Sequence, residues 1–331
     1  MTLDRRFLCW AARTVLIRRA GAVTTLLALG LLAAGLAGCG ASFDSPVLLS
    51  KLRLLALQAA PVNPTQGETT TMTPLIYSPS DAPLELAWSW CPLLGQANDG
   101  YVCPISYDDA STALAATGVT APLPPFDLGT GPTVSFTNPF PPDVLAALCD
   151  AGFDGQVLDC KNGFPIRISV RVSQGAAAQL GTTVVNLPLE AGAVSNANPV
   201  PGALSVDLAA GTQVLDDVGS VQVPRVQDSL LHVAIDDGQA ETYVGRGLDG
   251  GSATLRETLL FSWFAELGDF ENRRTLFIDG ANSLADASAD KWTPPATRVD
   301  ARPASRLVVV VRDDRGGVGW TTATASLEPT P

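Results

Sequence analysis

The chain has 331 residues, 33 of them Asp or Glu against 21 Lys or Arg, and a net charge of −12. Such an acidic surface repels phosphate backbones, so composition argues against a nucleic-acid partner. Only 16% of the residues are charged, and 25 prolines with 30 glycines disfavour bundles and coiled coils and point to a turn-rich, all-β fold.

At the N-terminus, Arg5, Arg6, Arg13, Arg18 and Arg19 precede a run without charge from Ala20 to Gly38. This is a basic n-region followed by an h-region. The run exceeds the roughly 7–15 residues of a secretory h-region and approaches the roughly 20 that span a bilayer, so an uncleaved anchor stays open as an alternative. Small residues crowd its end, and Leu36-Ala37-Gly38-Cys39 resembles the lipobox of bacterial lipoproteins. That resemblance implies a signal peptide over 1–38, cleavage before Cys39 and a diacylglycerol on its thiol. Under either alternative the arginines hold the N-terminus in the cytoplasm and everything after Cys39 lies outside, membrane-anchored. Gly40 stands where the resembling inner-membrane lipoproteins carry Asp, which implies the outer membrane. The exported part keeps 16 basic against 32 acidic residues.

Residues 39–50 read as a tether. A first β-sandwich is then expected over 51–193, beginning with the apolar strand Leu52-Arg53-Leu54-Leu55-Ala56-Leu57 and a Thr-rich strand after Gly67. In LELAWSWC, Leu84, Leu86, Trp88 and Trp90 alternate with Glu85, Ala87 and Ser89, the period of a pleated strand with one buried face. FPIRISVRVS likewise sets Ile166, Ile168, Val170 and Val172 against Arg167, Ser169 and Arg171. Between these strands lies an insertion, about 91–161, holding Cys91, Cys103, Cys149 and Cys160, with short helices predicted in DDASTALAATG and, opened by proline, in PPDVLAALC. An even number of exported cysteines reads as disulfides. Three pairings are open; loops of about a dozen residues favour Cys91–Cys103 and Cys149–Cys160.

After a linker at 194–202 the order repeats over 203–331. LHVAI forms a strand, SATLRETLLFSWFAEL carries a Trp-centred strand although a helical period also fits it, KWTPPA mirrors VSFTNPFPPD, and RLVVVVRDDRGGVGWTTATASLE makes a hairpin through Gly316-Gly317. Phe261-Ser262-Trp263, Gly268-Asp269 and the hairpin resemble the Trp strand and closing hairpin of bacterial PKD-like, cadherin-like and other immunoglobulin-like domains. The resemblance implies two tandem immunoglobulin-like β-sandwiches, a fold used for spacing, adhesion and polysaccharide contact.

Catalytic signals are thin. His232 is the single histidine, which excludes H-E-x-x-H metalloproteases, and no G-x-S-x-G accompanies any serine. Gly245-Arg246-Gly247-Leu248-Asp249-Gly250 matches a dinucleotide fingerprint in spacing, but no βαβ unit surrounds it, so it reads as a loop. Asp236-Asp237-Gly238, Asp249-Gly250 and Asp313-Asp314 are turn residues first and calcium ligands second. No catalytic residue, resident metal or cofactor is expected. The reading is a non-enzymatic envelope lipoprotein, acting as a structural or protein-interaction module, with membrane contact through lipid on Cys39. Trp88, Trp90 and Trp263 read as core residues first and as a sugar-stacking platform second. The alternative function is a surface protein recognising polysaccharide or using calcium.

Overall fold

A computed structural model describes residues 45–95, 100–152, 158–193, 195–225, 227–246, 252–296 and 303–329. Seven strands build the first sandwich: β1 (Arg53–Ala60), β2 (Thr69–Tyr77), β3 (Glu85–Cys91), β4 (Asp127–Gly129), β5 (Val134–Thr137), β6 (Phe164–Gln174) and β7 (Ala177–Leu187). They pair as one sheet in the order β1-β2-β5 and a second in the order β4-β3-β6-β7, all antiparallel. Helix α1 (Tyr107–Ala116) lies between β3 and β4, and α2 (Pro142–Ala151) between β5 and β6.

The second half comprises β8 (Leu204–Leu208), β9 (Gly211–Val214), β10 (Gln222–Val223), β11 (Ser229–Val233), β12 (Thr242–Arg246), β13 (Ser252–Arg256), β14 (Leu259–Ala265), β15 (Asp269–Phe270), β16 (Arg274–Phe277), the short α3 (Leu284–Ala287), β17 (Ala289–Thr293), β18 (Ala304–Asp313) and β19 (Val318–Leu327). Its sheets run β10-β19-β18-β14-β16 and β15-β17-β11-β8-β9, with β12 and β13 forming a separate hairpin. The arrangement repeats the first half: β1-β2-β5 recurs as β8-β11-β17, and β3-β6-β7 as β14-β18-β19. In both, the Trp strand pairs with the first strand of the terminal hairpin, and the proline-ended strand crosses to the other sheet. This is the two-sheet, Greek-key layout of immunoglobulin-like sandwiches. The segment with the competing helical period forms two strands, β13 and β14, broken at Glu257-Thr258.

Each sandwich is filled from its Trp strand. Trp88 and Trp90 are 1% and 2% exposed, and Trp263 and Trp292 are fully buried. Each of these four indole N–H groups finds an acceptor: Trp88 donates to the Gly131 carbonyl at 2.9 Å, Trp90 to the Pro125 carbonyl at 2.9 Å, Trp263 to the Thr275 hydroxyl at 3.0 Å and Trp292 to the Leu267 carbonyl at 3.0 Å. Burial without these bonds would leave each polar handle unsolvated.

Two expectations are corrected by packing between distant segments. Arg167 and Ser169, expected on the solvent face of β6, are buried. The loop after β3 folds over that face, so the Arg167 guanidinium donates to the Leu94 carbonyl and lies 5.9 Å from the Tyr101 ring centre. Residues 47–49, expected in the tether, pack on the second sandwich: Leu48 bridges Ala265 at the end of β14, the Leu49 N–H donates to the Ala265 carbonyl at 2.7 Å, and Val47 enters the second core. Residues 46–331 form one compact unit, and a third apolar cluster, formed by Leu49, Leu55, Ala56, Tyr77, Val308, Val310 and Val318, joins the two sandwiches.

The register shift between Leu54 and Ala56 in β1 falls where Leu55 and Ala56 enter this junction, as a bulge can turn consecutive side chains toward a new neighbour. Polar bonds surround the apolar patch. Asn198 donates to the Ala59 carbonyl and accepts from the Val318 N–H, both at 2.8 Å; Arg312 reaches the Leu55 carbonyl at 2.6 Å; Tyr77 donates to Glu266 at 2.8 Å. The linker passes so close to β19 that a Cβ on Gly319 would press against the Pro199 carbonyl oxygen and come within 2.8 Å of Pro201 Cδ. Gly319→Ala is therefore expected to destabilise the chain by about 1–3 kcal/mol through overpacking, read as a lower urea midpoint with an unchanged slope.

Candidate functional site

The insertion is the part of the first sandwich that the repeat does not explain. Cys91 is bonded to Cys103 and Cys149 to Cys160, with Cα separations of 5.6 and 6.1 Å. These are the local pairs. By chain entropy each short loop contributes on the order of 3 kcal/mol. Ser106 begins α1: its hydroxyl accepts from the Asp109 N–H at 3.1 Å and donates to the Asp109 carboxylate at 2.6 Å. Asp108 and Asp109 lie in the first turn, where carboxylates complement the helix dipole. Helix α2 opens on Pro142, buries Leu145 and stops at Gly152, whose φ of +69° suits a residue without Cβ.

Between the two helices a cavity of about 120 Å³ is walled by Leu93, Ile105, Leu114, Leu123, Phe140 and Leu148, among others, and its lining is almost wholly apolar. Tyr107 fixes one side by donating to the Leu123 carbonyl at 2.8 Å and packing edge-on to Phe126. Leu94, Tyr101, Val102, Tyr107 and Leu148 of the insertion are exposed, as are other large apolar side chains elsewhere on the chain. Around them Asp108, Asp109, Asp127, Asp143, Asp150 and Asp159 face solvent. No Lys, Arg or His occurs anywhere from residue 54 through residue 160. That run is legible in the sequence; the pairing of α1 with α2 is not.

A second cluster sits at the junction, where the β18–β19 turn meets the first sandwich. Asp313 accepts from the N–H groups of Arg315 at 2.8 Å and Gly317 at 2.7 Å and from the Asn196 amide at 3.0 Å. Burial outweighs those bonds and pushes its carboxyl above the usual range. Glu257, 1% exposed, receives the Arg315 guanidinium at 3.1 Å and the Glu241 N–H at 3.0 Å. Burial, helped by the neighbouring Asp313 charge, nevertheless lifts its carboxyl to about 7. Arg315 also lies 4.6 Å over the Tyr243 ring, and across the seam Asn162 donates to the Asp314 carbonyl at 3.2 Å. The adjoining cleft, about 550 Å³, mixes Lys161, Glu190, Arg256 and Asp314 with apolar walls.

The remaining sequence candidates disperse. His232 is a strand-face residue whose Nε2 lies 2.9 Å from the Asp207 carboxylate; hydrogen bonds from Thr212 and then His232 hold that carboxyl below its ordinary range. Asp237 pairs with Arg256 at 2.6 Å, and Asp314 accepts from the Thr258 N–H at 3.2 Å, so the Asp-rich turns serve separate partners. Among the described residues, no three His, Cys, Asp or Glu side chains converge on a metal-sized site. Gly245 and Arg246 end β12, which returns as β13 in a strand–loop–strand unit and not the strand–loop–helix of a dinucleotide site; residues 247–251, with Asp249 and Gly250, lie outside the described residues. Trp88, Trp90 and Trp263 are core residues as expected, which leaves no sugar-stacking platform among them, and Trp320 packs half-buried on the junction. Cys39 and the apolar run before it also lie outside the described residues, among which no helix is long and apolar enough to cross a membrane.

The strand order and the Trp-centred cores define the class: this is a chain of two immunoglobulin-like β-sandwiches. No protein-family model matches it, and no curated protein matches its sequence. Among solved structures it overlaps the N-terminal eight Ig domains of Down Syndrome Cell Adhesion Molecule isoform 1.30.30, at 11% identity over 84% of this chain and 25% of that one, with a TM-score of 0.19. It overlaps red sea bream transglutaminase at 11% identity over 85% and 32% of the two chains, TM-score 0.22. The Escherichia coli alpha-2-macroglobulin activated by porcine elastase gives 11% identity, 87% and 23% coverage and a TM-score of 0.21. The chain thus spans a third or less of each of these proteins. With TM-scores near 0.2, none of the overlaps bears on function.

Glu257 supplies a pH test. Its carboxyl is raised from 4.5 to about 7 in the folded chain, so between those values the folded state binds more protons than the unfolded. The corresponding stability is full below about 4.5 and is lost as pH rises to about 7. In urea titrations at pH 5 and pH 8, the Glu257→Gln variant should lose less stability across this interval than the unsubstituted chain. An equal loss in both would contradict the assignment.

Proposed function

We propose that the chain is a non-enzymatic lipoprotein of the bacterial cell envelope, anchored through lipid on Cys39, whose joined sandwiches hold the stapled insertion out as a protein-interaction face. The observation that carries this reading is the pair of immunoglobulin-like sandwiches, together with the large apolar side chains that the insertion exposes, Leu94, Tyr101, Val102, Tyr107 and Leu148. The two disulfides support an oxidising compartment, and Gly40 after the lipobox cysteine supports an outer-membrane address.

The test joins anchor and role. The chain extracted from membranes should give a mass lacking residues 1–38 and carrying acyl groups at Cys39, and crosslinking on intact cells should capture one reproducible envelope protein. An unmodified mass for all 331 residues would remove the anchor. Capture of glycan alone would replace the interaction reading by polysaccharide recognition.

A further inference from the structure

An edge strand presents unpaired backbone groups, and proteins blunt such edges by shortness, charge, proline or a bulge. Among the described residues, β10 and β15 have two residues each, β4 three, and β5, β9 and β16 four. β1 carries Arg53 and a register shift, and β12 and β13 end in Arg246 and Arg256. β7 has none of these protections. It is 11 residues long, pairs with β6 without a register shift and forms the edge of its sheet. It contains no proline, and no Asp, Glu, Lys or Arg occurs from residue 172 through residue 189. The Asn186 carbonyl accepts from the Asn63 amide at 3.0 Å, so its backbone faces away from β6. Backbone groups alternate in direction along an antiparallel strand, so Ala178, Leu180 and Thr182 aim their N–H and C=O groups the same way. Among the described residues, none bonds to those groups. β1 meets β7 from the opposite sheet, through Leu54 against Gly181, and makes no ladder with it. The β18–β19 turn comes close at Val184, whose carbonyl oxygen would lie 3.9 Å from a Cβ on Gly316; before it, a cleft of about 400 Å³ separates β7 from the turn. Residues 177–183 are therefore open, with Leu180, 52% exposed, at their midpoint.

We propose that β7 pairs antiparallel with the β7 of a second copy of this chain, about a twofold axis at Leu180. The inference goes beyond the insertion-based reading and stands on β7 alone. The symmetry of the open edge selects the occupant. Its midpoint residue turns both backbone groups outward, so Leu180 pairs with its own copy through two hydrogen bonds, and Ala178 pairs with Thr182 of the partner subunit. Such an isologous contact is self-complementary, and it covers both leucine side chains. The closing turns lie beyond opposite ends of the paired stretch and do not meet. Charge permits the contact as well. The exported part carries 32 acidic against 16 basic residues, and this edge brings none of them into register. Arg171, beside Leu180 in β6, would stand three strand spacings from its mate, about 14 Å, beyond the screening length of physiological salt.

Facing Cα atoms in a hydrogen-bonded antiparallel pair lie about 5.5 Å apart, within reach of a disulfide. The full chain carrying Leu180→Cys, expressed in cells and treated with a mild oxidant, should run as a dimer that reductant separates. Gln179→Cys, one residue away and aimed at the other face of the sheet, should give at least ten-fold less. Ala178→Cys and Thr182→Cys should give little dimer alone and crosslink to each other when co-expressed. Sedimentation of the detergent-extracted chain should show a monomer–dimer equilibrium that Leu180→Lys weakens at least ten-fold while leaving the urea midpoint unchanged. A monomer at every concentration, or equal crosslinking of Leu180→Cys and Gln179→Cys, would overturn the proposal. So would a foreign protein that Leu180→Lys releases while Leu180→Cys forms no dimer, an outcome that keeps the interaction module and removes the second copy. A Leu180→Cys dimer on cells where crosslinking captures no envelope protein supports the pairing and removes the insertion as a docking face.

Discussion

Val308 and Val310 project from β18 away from the core of their own sandwich, yet they are 2% and 0% exposed, because Leu49, Leu55, Ala56 and Tyr77 cover them from the other side. Alternation along β18 divides one strand between two cores: Leu307, Val309 and Val311 fill the second sandwich, and the valines between them fill the junction. A strand buried on both faces reads as a continuous apolar run, and the four consecutive valines are that run. At about 1.5–3 kcal/mol for a buried aliphatic side chain, the cluster amounts to something on the order of 10 kcal/mol. Relative motion is the usual state of tandem domains joined by small polar contacts; here the joining surface is apolar, and the chain entering through Val47 and Leu49 ties the second sandwich to the start of the first.

The junction also explains where charge is tolerated. The β18–β19 turn reaches the first sandwich only because Asp313 satisfies its backbone amides and Glu257 holds Arg315 against Tyr243. Two carboxylates removed from water in one place oppose each other, and their raised proton affinities follow from burial more than from any partner. With this seam closed, the insertion has a fixed base. Its helices stand on the Trp90 side of the first core, where Phe126, Phe136 and Phe140 surround the indole.

Much of this was legible from local signals. Period-two alternation marked β3 and β6, proline and glycine marked the α2 start and the β18–β19 turn, and cysteine spacing favoured the pairs that form. These features depend on neighbours a few residues apart, and so the sequence carries them. The burial of Arg167 depends on a loop that begins more than sixty residues earlier, and that of Val308 on a bulge in β1. Nothing in the residues beside Arg167 or Val308 encodes those encounters. The insertion's lack of basic residues is likewise written in the sequence, whereas the apolar cavity between α1 and α2 depends on helix packing that it does not spell out.

The central claim is that residues 46–331 behave as one cooperative body through the junction. Differential scanning calorimetry of the extracted, disulfide-intact chain tests it most directly. The account predicts a single unfolding transition whose calorimetric and van't Hoff enthalpies agree. Two resolved transitions, one for each sandwich, would contradict it.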